Sequence, residues 1–99
     1  MNNFKWFAYR QNNSGGIFVG PRNVVVQAIS SHMADAAAVE FGGVYFDGCA
    51  DEVDCPCCGD RWSRSWEDGK DRPMVYGEAV SAGPGVLLVY ADGRTEGGR

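Results

Sequence analysis

Residues 23–43 read NVVVQAISSHMADAAAVEFGG, and the change of pattern inside them decides the fold. Asn23 to Ser30 is rich in β-branched residues, whose stiff side chains suit a pleated strand. Val24, Val26 and Ala28 then share one face of that strand. From Ser31 the pattern becomes helical. Ser31 suits an N-cap, because its hydroxyl can accept a first-turn amide, and Asp35 lies near the positive end of the helix dipole. A helix is expected from about His32 to Phe41. Met33, Ala37 and Phe41 recur every four residues with Ala34 and Ala38 alongside, a narrow small-residue face able to pack closely on a sheet. Gly42-Gly43 supplies the stop.

Upstream, Phe4 to Arg10 alternates Phe4, Trp6 and Ala8 with Lys5, Phe7 and Tyr9. This is the period of a strand with aromatic groups on both sides, expected inside a sheet. The run Gln11 to Gly16, QNNSGG, is a turn signal. A short strand over Ile17 to Val19 is stopped by Gly20-Pro21. Downstream, Met74 to Val80 and Val86 to Tyr90 read as two strands around the Ser81 to Gly85 turn, with a tight Asp92-Gly93 turn after them. Strands, one helix, a cysteine loop and further strands make an α+β domain: a mainly antiparallel sheet, one helix on a face and an irregular cysteine-rich loop. The expected domain covers residues 1–94, followed by a disordered tail over residues 95–99.

All four cysteines, Cys49, Cys55, Cys57 and Cys58, fall in the stretch DGCADEVDCPCCGDRW. Staples for a fold are usually spread along a chain, whereas a Cys-Pro-Cys-Cys-Gly run has the tight turn of half a zinc site. A structural zinc site is therefore expected. The fourth ligand is either Cys57, which sits awkwardly beside Cys58 on one tetrahedron, or His32, the single histidine. A competing reading makes Cys55 and Cys58 the redox pair of a thiol-disulfide oxidoreductase. Asp51, Glu52, Asp54 and Asp60 oppose it, since nearby negative charge raises a thiol pKa.

The flanking residues give a candidate contact surface. Trp62 and Trp66 stand four apart with Arg61 and Arg64 among them, and on a possible helical turn over Arg61 to Trp66 the tryptophans share a face. Trp and Arg dominate protein-binding hot spots, although tryptophans covering the cysteine loop fit the pattern too. Arg10, Gln11, Asn12, Asn13 and Ser14 form the second part of this surface. A third reading, a nucleotide or small-ligand site through the Gln11 to Gly16 amides, lacks a Walker lysine and a following helix. The formal charge of −4 over 99 residues disfavours nucleic acid and fits a protein partner. With no apolar run of signal or membrane length, the chain reads as soluble and cytoplasmic, a compartment that keeps thiols reduced or metal-bound. No nucleophile–base arrangement is legible, so a non-enzymatic role is expected.

Taken together, residues 7–16 (FAYRQNNSGG), 45–48 (YFDG) and 54–62 (DCPCCGDRW) resemble a family of small, uncharacterised proteins of tailed bacteriophages. The resemblance runs through Trp66. It implies a phage-encoded accessory protein in the bacterial host cytoplasm that engages a host or defence protein, and it implies no enzymatic activity.

Overall fold

The computed structural model describes residues 3–12, 21–52, 59–65, 69–75 and 77–98. Two sequence expectations, the Ile17 to Val19 strand and most of the Gln11 to Gly16 turn, lie outside those residues.

Strand β1 (Lys5–Arg10) pairs antiparallel with β2 (Asn23–Ala28), with Phe7 opposite Val26 and Tyr9 opposite Val24. Helix α1 (Ser31–Gly42) follows. A two-stranded hairpin, β3 (Met74–Val75) and β4 (Glu78–Ala79), stands apart from the main sheet. Strand β5 (Val86–Val89) lies parallel to β2, and β6 (Thr95–Gly97) closes antiparallel on β5. The main sheet therefore runs β1-β2-β5-β6, with one parallel pair between two antiparallel ones. The architecture is the expected α+β one.

Burial explains the centre of the sheet. Val24, Val25 and Val26 have no exposed surface, because β2 is covered on both faces. On one face Phe7, Tyr9, Val24, Val26 and Val89 meet α1 and Trp62 in a single core. On the other, Val25 and Leu88 are buried and Trp6 meets Tyr90 edge-on, with ring centroids 5.4 Å apart.

The helix faces differently from the simplest reading of its period. Ala34, Ala38 and Gly42 are the buried residues, whereas Met33 and Phe41 are 51% and 43% exposed. Close approach is the physical reason: a Cβ on Gly42 would fall 2.8 Å from Val24 Cγ1, so the line of smallest side chains faces the sheet. The cap also shifts by one. Ser30, in extended conformation, accepts from the Met33 amide, and Gly43 ends the helix in the left-handed region.

Four further expectations are corrected. β1 is an edge strand of its sheet and not an interior one; its second aromatic side comes from Trp6 packing on Tyr90, not from a flanking strand. The stretch Met74 to Val80 folds back on itself around Gly77, at φ 78°, instead of running straight. Residues 61–65 form no helical turn, because their backbone bonds outward to other segments. Within the expected tail Thr95–Gly97 form a strand: the Asp92-Gly93 turn, closed by Tyr90 N–H to Arg94 O at 2.8 Å, returns the chain to pair with β5.

The orientation of α1 has a direct test. Ala38→Leu forces volume into the buried helix–sheet interface and is expected to lower unfolding free energy by roughly 1–3 kcal/mol. Met33→Ala, at a half-exposed position, is expected to change it by about 0.5 kcal/mol. Urea denaturation of the two variants checks this, and equal effects would return Met33 to the buried face.

Candidate binding groove and cysteine loop

The two stretches singled out on either side of the domain, around Gln11 and around Arg61, meet in space. Asn12 N–H donates to Arg61 O at 2.6 Å, and Asn12 Nδ2 reaches Ser63 Oγ at 2.7 Å and Asp60 O at 3.3 Å. Gln11 uses both ends of its amide: Nε2 donates to Pro21 O at 3.0 Å, and Oε1 accepts from an Arg61 guanidinium nitrogen at 2.8 Å. Charge-assisted bonds of this kind are among the stronger ones, which suits a guanidinium in a residue that is only 6% exposed.

Trp62 is 1% exposed and belongs to the core. With Arg61 also buried, the expected contact patch of Arg61, Trp62, Arg64 and Trp66 is corrected. Arg61 and Trp62 anchor the segment, and Arg64 is the described member that reaches solvent. The reason is the alternation of an extended segment, which sends one large side chain inward where a helical turn would have aligned two outward. Trp66, Asn13 and Ser14 lie outside the described residues.

A carboxylate joins this segment to the rest of the domain. Asp35 Oδ1 on α1 accepts from Tyr9 OH at 2.6 Å and from the Ser65 amide at 3.0 Å. Burial, and then the hydrogen bond and charge of Asp35, push the Tyr9 hydroxyl far above its ordinary pKa, so it stays a neutral donor. Arg64 makes a two-pronged pair with Asp47, at 3.1 and 2.7 Å, while its guanidinium lies 4.9 Å from the Phe46 ring centroid.

Between these anchors runs a groove of about 400 Å³ along the outer side of β1. Its ends are backbone contacts. At one, Trp6 and Lys70 exchange two backbone hydrogen bonds of 2.8 and 2.9 Å; at the other, Asn12 bonds to Arg61. Gly69 permits the first, since a Cβ there would lie 2.3 Å from Lys5 Cβ. Lys5 also pairs with Asp71 across the same junction. Arg10, Arg64 and Lys70 contribute to the groove walls, with Ser63 and Ser65 between them, and no carboxylate lines it among the described residues.

The cysteine loop hangs from the same segment. Asp47 and Glu52 adopt left-handed backbone, at φ 60° and 63°, around a turn in which Asp51 N–H bonds to Asp47 O. The Cys49 amide donates to Asp60 Oδ1 at 2.8 Å. That bond and the Asp47–Arg64 pair bring the two ends of the loop together. Asp60, considered from the sequence as a weak metal ligand, thus has a carboxylate oxygen committed to backbone. Cys49 is partly buried, and His32 is exposed at the start of α1. Cys55, Cys57 and Cys58 lie outside the described residues, and among the described ones no group of three potential ligands gathers.

A family model described as Domain of unknown function (DUF7296) matches residues 4–98. The chain belongs to this family. The match includes the last strands, so β5 and β6 are part of the DUF7296 domain and not an appendage. No curated protein and no solved structure matches the chain. Among the described residues no helix is long and apolar enough to cross a membrane.

Asp35, Ser65 and Lys70 belong to the groove and its anchors without having been singled out as contact residues by the sequence. Asp35 was legible only as a helix-dipole partner; Lys70 carried no local signal at all.

Two measurements check this geometry. Tyr9→Phe removes a buried donor to a carboxylate and is expected to cost roughly 1.5–3 kcal/mol of unfolding free energy in urea denaturation. Arg64, chiefly through its hydrogen bonds and then its charge, holds the Asp47 carboxyl below its usual value. A lowered folded value means this stabilisation is present above the unfolded carboxyl pKa of about 3.9 and is lost as pH falls through the folded value. In Arg64→Ala the Asp47 titration followed by NMR is expected to move up towards the ordinary midpoint; an unchanged midpoint would remove the pair from solution.

Proposed function

We propose that this DUF7296 chain is a non-enzymatic protein-binding module, a phage accessory protein that engages a host or defence protein in the bacterial cytoplasm. The observation that carries the binding part is the groove beside β1, where Arg10, Arg64 and Lys70 converge without a lining carboxylate among the described residues. Concave, locally cationic surface on an otherwise acidic domain selects partners by charge. The phage setting rests on the resemblance of the YRQNNSGG, YFDG and DCPCCGDRW stretches.

The reading includes a structural zinc ion held by Cys49, Cys55, Cys57 and Cys58, with His32 as the alternative fourth ligand. Its support is the spacing of the cysteines and the closure of the loop by Cys49–Asp60 and Asp47–Arg64. A clip of this kind would stabilise a domain of 99 residues by constraining its least regular part.

Native mass spectrometry beside plasma metal analysis tests the metal. One zinc per chain, removed by chelator and lost in Cys49→Ser, is the expected result. Metal-free protein that loses hydrogens on oxidation and reduces insulin would put the thiol-disulfide reading of Cys55 and Cys58 in its place. For binding, the expected outcome is a specific protein captured from bacterial lysate by the wild type and lost with Lys70→Glu. Capture indifferent to that reversal would detach the groove from the function.

A further inference from the structure

Helix α1 presents an apolar face to solvent. Four of the five large apolar side chains exposed among the described residues, Ile29, Met33, Val39 and Phe41, lie on α1 or lead into it. The outward side of a surface helix ordinarily carries charge. Here it consists of His32, Met33, Ala36, Val39 and Glu40, all exposed, and its polarity runs against the helix dipole: an imidazole stands in the first turn and a carboxylate in the last. Each is disfavoured where it stands, because the positive end of the dipole repels a protonated imidazole and the negative end repels an anion. The arrangement is also self-complementary. Ala36 lies midway between His32 and Glu40, and midway between Met33 and Val39.

We propose that a second copy of this chain covers that face, the two α1 helices packing antiparallel about a two-fold axis beside Ala36. The surface is independent of the groove reading. In such a pair each His32 meets a Glu40 from the other copy, and each of these residues lies beside the end of the opposite helix that favours it, so both dipole mismatches are relieved at once. A parallel pair would leave them in place. Ala36 allows the helix axes to approach to about 8–10 Å, and Met33 and Val39 fill the space on either side. The contact uses the same patch on both copies and so closes at two. One helix face is small beside permanent dimers, which bury about 2,000 Å² or more, so a reversible dimer of micromolar affinity is expected.

The test is sedimentation equilibrium of the full chain from about 10 μM to about 1 mM, beside methyl NMR spectra recorded on dilution. The average mass is expected to rise from one chain towards two, with dilution shifts at Met33, Ala36 and Val39. Ala36→Glu sets two carboxylates against each other on the axis, at a position exposed in the single chain, and is expected to weaken association about tenfold or more with the helical circular dichroism unchanged. Glu40→Lys puts like charge opposite the imidazole and is expected to weaken association about threefold or more. The double variant His32→Glu, Glu40→Lys re-forms the pairing with its sign inverted and is expected to associate about threefold more tightly than Glu40→Lys alone. Should Ala36→Glu not fold, this rescue carries the test. A single-chain mass at about 1 mM, a dimer indifferent to Ala36→Glu, or a double variant no tighter than Glu40→Lys would each overturn the antiparallel α1 pair.

Discussion

The carboxylate of Asp35 is the point on which this small domain turns. It sits on α1 and receives a hydroxyl from β1 and an amide from the segment after Trp62, so three elements distant in sequence share one acceptor. The tyrosine that donates is itself buried in the core, which makes the bond costly to leave unmade. Tyr9, its pKa pushed far above the ordinary value by burial and then by Asp35, stays a neutral donor in that bond. Moving any one of the three elements would orphan groups in the other two.

That constraint explains how an irregular segment can shape a site. Residues 59–65 contain no strand or helix, yet they are fixed by the Trp62 ring in the core, by Arg61 on Gln11, by Ser65 on Asp35 and by Arg64 on Asp47. The fixed segment does two things. It closes the base of the cysteine loop, and it stands beside β1 through the Asn12–Arg61 bond. The groove and the loop are therefore mechanically one unit: strain or metal binding in the loop would act on the groove wall through Asp47 and Arg64.

Much of the architecture was legible because it is set locally. The strand-to-helix change after Ala28, the glycine stop at Gly43 and the Asp92-Gly93 turn follow from side-chain period and backbone preference. The errors share a different cause. Met33 and Phe41 have the right period to face the core, but helix and sheet come so close that only Ala34, Ala38 and Gly42 fit between them. Likewise the tail looked too polar and glycine-rich to order by itself; it orders because β5 offers an edge to which Thr95–Gly97 can pair. Trp62 fitted two readings in the sequence, a contact residue beside arginine and a cover for the cysteine loop, because burial is a property of the neighbours and not of the dipeptide.

By itself the sequence determined an α+β domain with one helix, a mainly antiparallel sheet and an acidic surface, because composition and periodicity act over a few residues at a time. It also marked the cysteine loop and the QNN and DRWS stretches as the places where ordinary packing does not account for the residues. Only the tertiary structure decided that these two stretches adjoin, that β1 lies at the end of the four-stranded sheet, and that Arg10, Arg64 and Lys70 line one groove beside it. Those facts depend on contacts between residues some fifty positions apart, such as Gln11 with Arg61. No local preference encodes such a contact; it appears once the core has fixed where each element lies.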